Sequence, residues 1–215
     1  MIEYENNQFF DEEALYFRLT QGLKKASREV VFVVGAPLTA PQGDESHGVA
    51  DVHEVTDMIR RQFIDDGISL AAFDRQIKVG SNPYQEAFRF LQGRFGQDAA
   101  NDIVQRAVLQ SYKGKREHNS AGNSFRSGKL ELLENELENW YLTPGVKALG
   151  ELLATKRSPF SKMTITSNFD PLIGVAIKAA GGSSWRTALH QDGDFQQSKA
   201  DGCQIIHIHG YWHGT

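Results

Sequence analysis

Apolar residues along this chain follow two patterns. The first is the short uninterrupted run, read as a strand. Val30-Val31-Phe32-Val33-Val34 has no polar alternation, which predicts a strand buried on both faces. Lys162 to Thr166 reads as a second buried strand and Ile205, Ile206 and Ile208 mark another, with a short one over Trp185 to Leu189. The second pattern repeats with the helical period. Leu15, Leu19 and Leu23 share a face over Asp11 to Ser27, which predicts a helix packed on the sheet with Lys24, Lys25 and Arg28 at its C-terminal end. Val52, Val55, Ile59 and Phe63 form the next stripe. Asn82 to Gln110 carries two more, Tyr84/Phe88/Leu91 and Ile103/Ala107/Val108, with a break near Gly93 and Gly96. Leu132, Leu133 and Leu137 predict a helix over Leu130 to Tyr141, and Val146, Leu149, Leu152 and Leu153 another. Leu172 to Ile177 is a last, apolar helical run.

End signals sharpen these elements. Asp51 is placed to cap the helix that follows it, and Thr143-Pro144 puts a good N-cap before proline at the first helical position. The stretch from Ala40 to Gly48 is a polar loop and a candidate lid. Ser111 to Lys129, with Lys113, Lys115, Arg116 and Arg126, reads as a mobile loop or insert boundary, and Gln191 to Gly202 as a polar loop. Strands alternating with helices predict an α/β fold: a Rossmann-like parallel sheet flanked by helices, with a helical insertion over about residues 51–140.

The chain has 215 residues, enough for one large domain or a core with an insertion. A net charge of −4 gives no global case for nucleic acid or an acidic membrane as a partner. The single cysteine, Cys203, excludes an internal disulfide framework and a four-cysteine zinc site. Neither a signal peptide nor a run of membrane-spanning length is visible, so a cytoplasmic setting is the expectation.

In an open parallel sheet, ligands bind beyond the carboxyl ends of the strands. Three such ends carry polar or glycine residues. Gly35-Ala36-Pro37 follows the first strand, where glycine lets backbone approach a phosphate or ribose, or simply turns the chain. Thr166-Ser167-Asn168-Phe169-Asp170 follows the second. Asn168 and Asp170 have donors and acceptors suited to sugar hydroxyls and an ordered water, or they serve as a helix cap and a first-turn acid. His209-Gly210 follows the last. His207 and His209, two apart, would face the same way, but no cysteine or acid lies close to them in sequence, so no metal is expected.

These motifs, in this order, resemble the sirtuin superfamily over about residues 30–211. Gly35-Ala36 is similar to its glycine turn, Gly48-Val49-Ala50-Asp51 to its second loop, Thr166 to Asp170 to its Thr-Gln-Asn-Ile-Asp motif, and His209-Gly210 to its catalytic His-Gly. Pro37 and Ala50 depart from the pattern, and the four cysteines of the zinc module are absent. The closer resemblance is therefore to the zinc-free sirtuin-like domains of bacterial anti-phage defence proteins, of the kind fused ahead of STAND-type ATPases. It implies hydrolysis of NAD to nicotinamide and ADP-ribose, NAD depletion in abortive infection, a homo-oligomer, a C-terminal ATPase or sensor region in the same polypeptide, and a phage protein as indirect trigger. On that resemblance the chain is expected to be the N-terminal part of a longer protein.

The resemblance also implies roles. Asn168 orients the water or the ribose. Asp170 binds ribose hydroxyls or supports the site. His209 contacts the ribose and acts as general base, a role that histidine side chains commonly take. Gly35, Ala36 and Pro37 approach the diphosphate, Thr166 and Ser167 line the nucleotide site, and Asp51 lies near the nicotinamide. A non-catalytic NAD or ADP-ribose sensor, a protein deacylase and a purely structural oligomerisation domain are the alternatives.

Overall fold

The computed structural model of the chain describes residues 11–24, 30–43, 47–114, 127–155, 160–188 and 202–213. Most of the expected loops at 111–129 and 191–202 lie outside these residues, as do Lys25, Ser27, Arg28, Lys115, Arg116, Arg126 and Leu189.

Four strands, β1 (Val30–Val34), β2 (Phe160–Thr166), β3 (Ser184–Ala188) and β4 (Cys203–His207), form one sheet in the order β1-β2-β4-β3. All its pairings are parallel. Parallel neighbours need long crossovers. Helices α2 (Val52–Arg61), α3 (Gly67–Val79), α4 (Pro83–Leu109), α5 (Ser127–Leu133) and α6 (Pro144–Ala154) lie between β1 and β2, and α7 (Leu172–Ala179) lies between β2 and β3. The expected α/β sheet flanked by helices is present. Because β1, β2 and β4 are neighbours, the three chemically marked strand ends lie on one edge.

Helices α6 and α7 cover one face of the sheet. Leu149, Ile173 and Ile177 pack with Cys203 and Ile205 there, and Phe32 and Val34 join them. The helices can cross closely because Gly150 has no side chain; a Cβ at that position would lie 2.6 Å from the Ala176 Cβ.

The opposite face corrects one expectation. Val31 and Val33 are 45% and 75% exposed, so β1 is not buried on both faces. Strand β4 is buried at every position, Gln204 and His207 included. The difference is place: β4 has a strand on either side, whereas β1 is at the edge of the sheet.

The insertion has its own core. Val55, Ile59, Phe63, Phe73, Phe90, Leu91 and Ile103 cluster between α2, α3 and α4. Asp51 caps α2 in a reciprocal capping box with Glu54, as expected of its position. The break in α4 falls at Gly96, whose φ of 80° is left-handed. Helix α3 was not legible from the apolar period, since it buries little besides Ser69 and Phe73.

Three further expectations are corrected. Helix α1 (Glu12–Leu23) leaves Leu15 of its expected stripe exposed, with Tyr16 and Phe17 exposed beside it, while Leu19 is half-buried. The helix expected over Leu130 to Tyr141 stops at Leu133, and Trp140 instead bridges to Tyr112. Ser111 and Tyr112, read as the start of a loop, are buried. Among the described residues no helix is long and apolar enough to cross a membrane.

Candidate functional site

A cavity of about 220 Å³ opens at the carboxyl edge of the sheet, roofed by the helical insertion. Its polar wall comes from the strand ends: Ala36, Thr39, Ser167, Asn168, Asp170 and His209. Its apolar wall comes from α2 and α4, through Val55, Tyr84, Phe88, Val104 and Val108.

Local chemistry shapes the strand ends. After β1 the chain makes a 3-10 turn over Ala36–Leu38, with Pro37 in its first turn. Gly35 sits against the β2 end: a Cβ there would come 3.1 Å from the Ser167 hydroxyl. After β2, the Asn168 backbone N–H donates to Thr166 Oγ1 at 3.0 Å, folding the tip back on its own strand. Asp170 Oδ1 accepts the Leu172 N–H at the start of α7. The capping reading is thus met in part: Asp170 serves the helix, and Asn168 does not.

Asn168 faces a different partner. Its Nδ2 donates to Thr39 Oγ1 at 2.9 Å, and Thr39 Oγ1 donates to Asp170 Oδ2 at 2.9 Å. The direction of this chain is fixed by proton count. An ionised carboxylate only accepts, and Thr39 has one hydroxyl proton, so Thr39 gives it to Asp170 and must accept from Asn168. The amide orientation follows, and it leaves Asn168 Oδ1 buried without a hydrogen-bond partner. An unpaired buried acceptor costs about 1–3 kcal/mol, which a ligand hydroxyl or a water recovers.

Burial sets the electrostatics. It pushes the Asp170 carboxyl up to about 6, against the stabilising bonds from Leu172 and Thr39. His207 is also buried; burial lowers its pKa and keeps the ring neutral, and its Nδ1–H donates to the Asn168 carbonyl at 2.8 Å. The two histidines do not face the same way. The strand ends at His207, so His209 lies in the following turn, exposed at the cavity while His207 is enclosed.

The second loop closes the site from the insertion side. Val49 N–H donates to the Thr39 carbonyl at 2.9 Å, and Ala50 N–H donates to the Ala107 carbonyl at 3.2 Å. The loop lies against the first turn because Gly48 has no side chain; a Cβ would fall 2.6 Å from the Thr39 carbonyl oxygen. Asp51 also lines the cavity, with its carboxylate accepting the Glu54 N–H of α2.

Of the sequence-marked residues, the structure brings Ala36, Asp51, Ser167, Asn168, Asp170 and His209 to one cavity. Gly35, Pro37 and Thr166 do not line it; they shape the turns behind it. Thr39, Tyr84 and Phe88 were missed as site residues. Thr39 was visible only as the end of a turn, and the helical spacing of Tyr84 and Phe88 says that they are covered, not by what. Among the described residues no group of three or more His, Cys, Asp or Glu is arranged to hold a metal ion. No protein-family model and no curated protein matches the chain.

Proposed function

We propose that this chain is a sirtuin-like NAD hydrolase domain that cleaves the nicotinamide–ribose bond to give nicotinamide and ADP-ribose, and that it acts as the NAD-depleting effector of an anti-phage defence protein. One observation carries the reading: the Asn168–Thr39–Asp170 chain stands at the cavity wall, on the same sheet edge as His209. The cavity, about 220 Å³, is smaller than the roughly 300–1,000 Å³ of pockets that enclose a whole drug-sized ligand. It suits the nicotinamide–ribose half of the dinucleotide, with the rest extending past Gly35 and Ala36.

Breaking that bond builds positive charge on the ribose, which needs a nearby negative charge and a positioned water. Asp170, ionised above about pH 6, supplies the charge from behind Thr39 and holds the amide in place. Asn168 offers its unpaired Oδ1 to the water or a ribose hydroxyl. His209, exposed at the cavity, takes the proton from the ribose or the water as general base. The NAD-depleting role rests on the sequence resemblance, as do the homo-oligomer and the ATPase region.

The test is nicotinamide release by the full-length protein with its activating trigger, comparing wild type with Asn168→Ala and His209→Ala. General-base assistance is worth about 10²–10⁴-fold, so His209→Ala should lose turnover on that scale while remaining folded. A wild type that gains thermal stability with NAD yet leaves it intact overturns the hydrolase and establishes the sensor reading.

A further inference from the structure

His209 and Gly210 form a short arch between two backbone anchors. Before it, the Ile208 N–H donates to the Thr166 carbonyl at 3.0 Å. After it, the Trp212 N–H donates to the Phe169 carbonyl at 3.0 Å. Both acceptors belong to the segment that carries Asn168, so these anchors set where His209 stands relative to the amide. The arch itself is permissive, since Gly210 has a φ of 87° and open space around it.

The far anchor is held by one side chain from the insertion. Glu134, in the turn after α5, is buried. Its Oε1 accepts from Tyr211 Oη at 2.8 Å, from Trp212 Nε1 at 3.1 Å and from His213 Nε2 at 3.1 Å. Its Oε2 accepts from Arg186 Nη1 at 2.9 Å, and the same guanidinium lies over the Tyr211 ring. Three consecutive side chains after the arch therefore converge on one carboxylate. The turn that bears Glu134 is itself fixed, because Trp140 Nε1 donates to the Leu133 carbonyl and the Trp140 ring meets Trp212 edge-on.

We propose that Glu134 is a positioning residue for His209: by clamping Tyr211, Trp212 and His213 it fixes the arch that presents the histidine at the cavity. The catalytic part of this assignment rests on the hydrolase reading above. Glu134 does not line the cavity. Its loss therefore acts on turnover more than on substrate affinity. It also links the helical insertion to the catalytic edge, so a rearrangement of the turn after α5 reaches His209 through this carboxylate.

The experiment uses the full-length protein with its trigger and the variants Glu134→Ala, Glu134→Gln and Tyr211→Phe. Two quantities are read: kcat and KM for nicotinamide release, and backbone amide hydrogen exchange over residues 208–213. Misplacing a catalytic group by about 1 Å costs on the order of 100-fold, so Glu134→Ala should lower kcat by about 10- to 100-fold with KM little changed. Its amide exchange over 208–213 should rise by about tenfold or more while β4 stays protected. Glu134→Gln keeps an acceptor for Tyr211 and Trp212 and should recover most of the turnover. Tyr211→Phe removes a single hydroxyl, folds even where the alanine variant does not, and should show a smaller fall in kcat with the same local rise in exchange. Unchanged exchange over 208–213 in both Glu134→Ala and Tyr211→Phe, with wild-type kcat, overturns the proposal while leaving the hydrolase in place. Faster exchange with unaltered kcat overturns it equally. A wild type that releases no nicotinamide overturns the hydrolase reading, and the catalytic role of Glu134 with it.

Discussion

Thr39 Oγ1 accepts from Asn168 Nδ2 and donates its own O–H to Asp170 Oδ2, each bond 2.9 Å long. This one hydroxyl ties the end of β1 to the end of β2 and decides which way the Asn168 amide faces. Thr39→Val keeps the shape and removes the hydroxyl. It leaves the amide and the carboxylate each short of a partner, at about 1–3 kcal/mol per group. Denaturant unfolding should show a loss of that order, and NAD turnover should fall with it. Thr39→Ser, which keeps the hydroxyl, should recover most of both. A valine variant as stable and active as wild type would remove Thr39 from the site.

The Asp170 carboxyl gives a pH signature. Its folded pKa, about 6, lies above the ordinary 3.8, so folding favours the protonated form. The contribution to stability is fully present below about pH 3.8 and is lost as pH rises through about 6. Asp170→Asn removes the titration. The melting temperature of the variant relative to wild type should therefore climb between pH 4 and pH 7, while its nicotinamide release at pH 7.5 should be nearly abolished. In the wild type, turnover should fall as the carboxylate protonates below about pH 6. A relative stability independent of pH would show that Asp170 titrates normally.

His207 has the opposite sign. Burial holds its folded pKa below the ordinary 6.5, so the neutral ring is favoured. Its contribution is present above pH 6.5 and is lost as pH falls through the lowered value. His207→Phe should cost about 1–3 kcal/mol at pH 8, because the Asn168 carbonyl loses its donor. It should also flatten the decline of the urea midpoint between pH 6.5 and pH 5. An equally steep decline in the variant would assign it to other groups.

Gly48 tests the contact between the second loop and the first turn. A methyl group here meets backbone, the Thr39 carbonyl oxygen at 2.6 Å and Pro41 N at 2.7 Å, and neither can swing aside. Gly48→Ala should push Val49 and Asp51 away from the cavity and cost about 1–3 kcal/mol, as overpacking does. The KM for NAD should rise, while secondary structure by circular dichroism stays unchanged. A wild-type KM would detach this loop from the binding site.

Local elements and their ends were readable along the chain. The Asp51 capping box, the Thr143-Pro144 start of α6 and the break at Gly96 each depend on residues within a turn of one another, and each stands where the pattern placed it. The strand ends carrying Ala36, Asn168 and His209 were legible for the same reason, since an apolar run and the residue that stops it are neighbours. Other features depend on segments far apart in the chain. Thr39 meets Asp170 across 131 positions, and Glu134 meets Tyr211 across 77. Val33 is exposed while β4 is enclosed, its Gln204 and His207 included, and one strand forms an edge where the other has two neighbours. Periodicity and capping report a residue's own few neighbours. Burial and hydrogen-bond pairing depend on which distant segment arrives opposite, and that is fixed only when the chain packs.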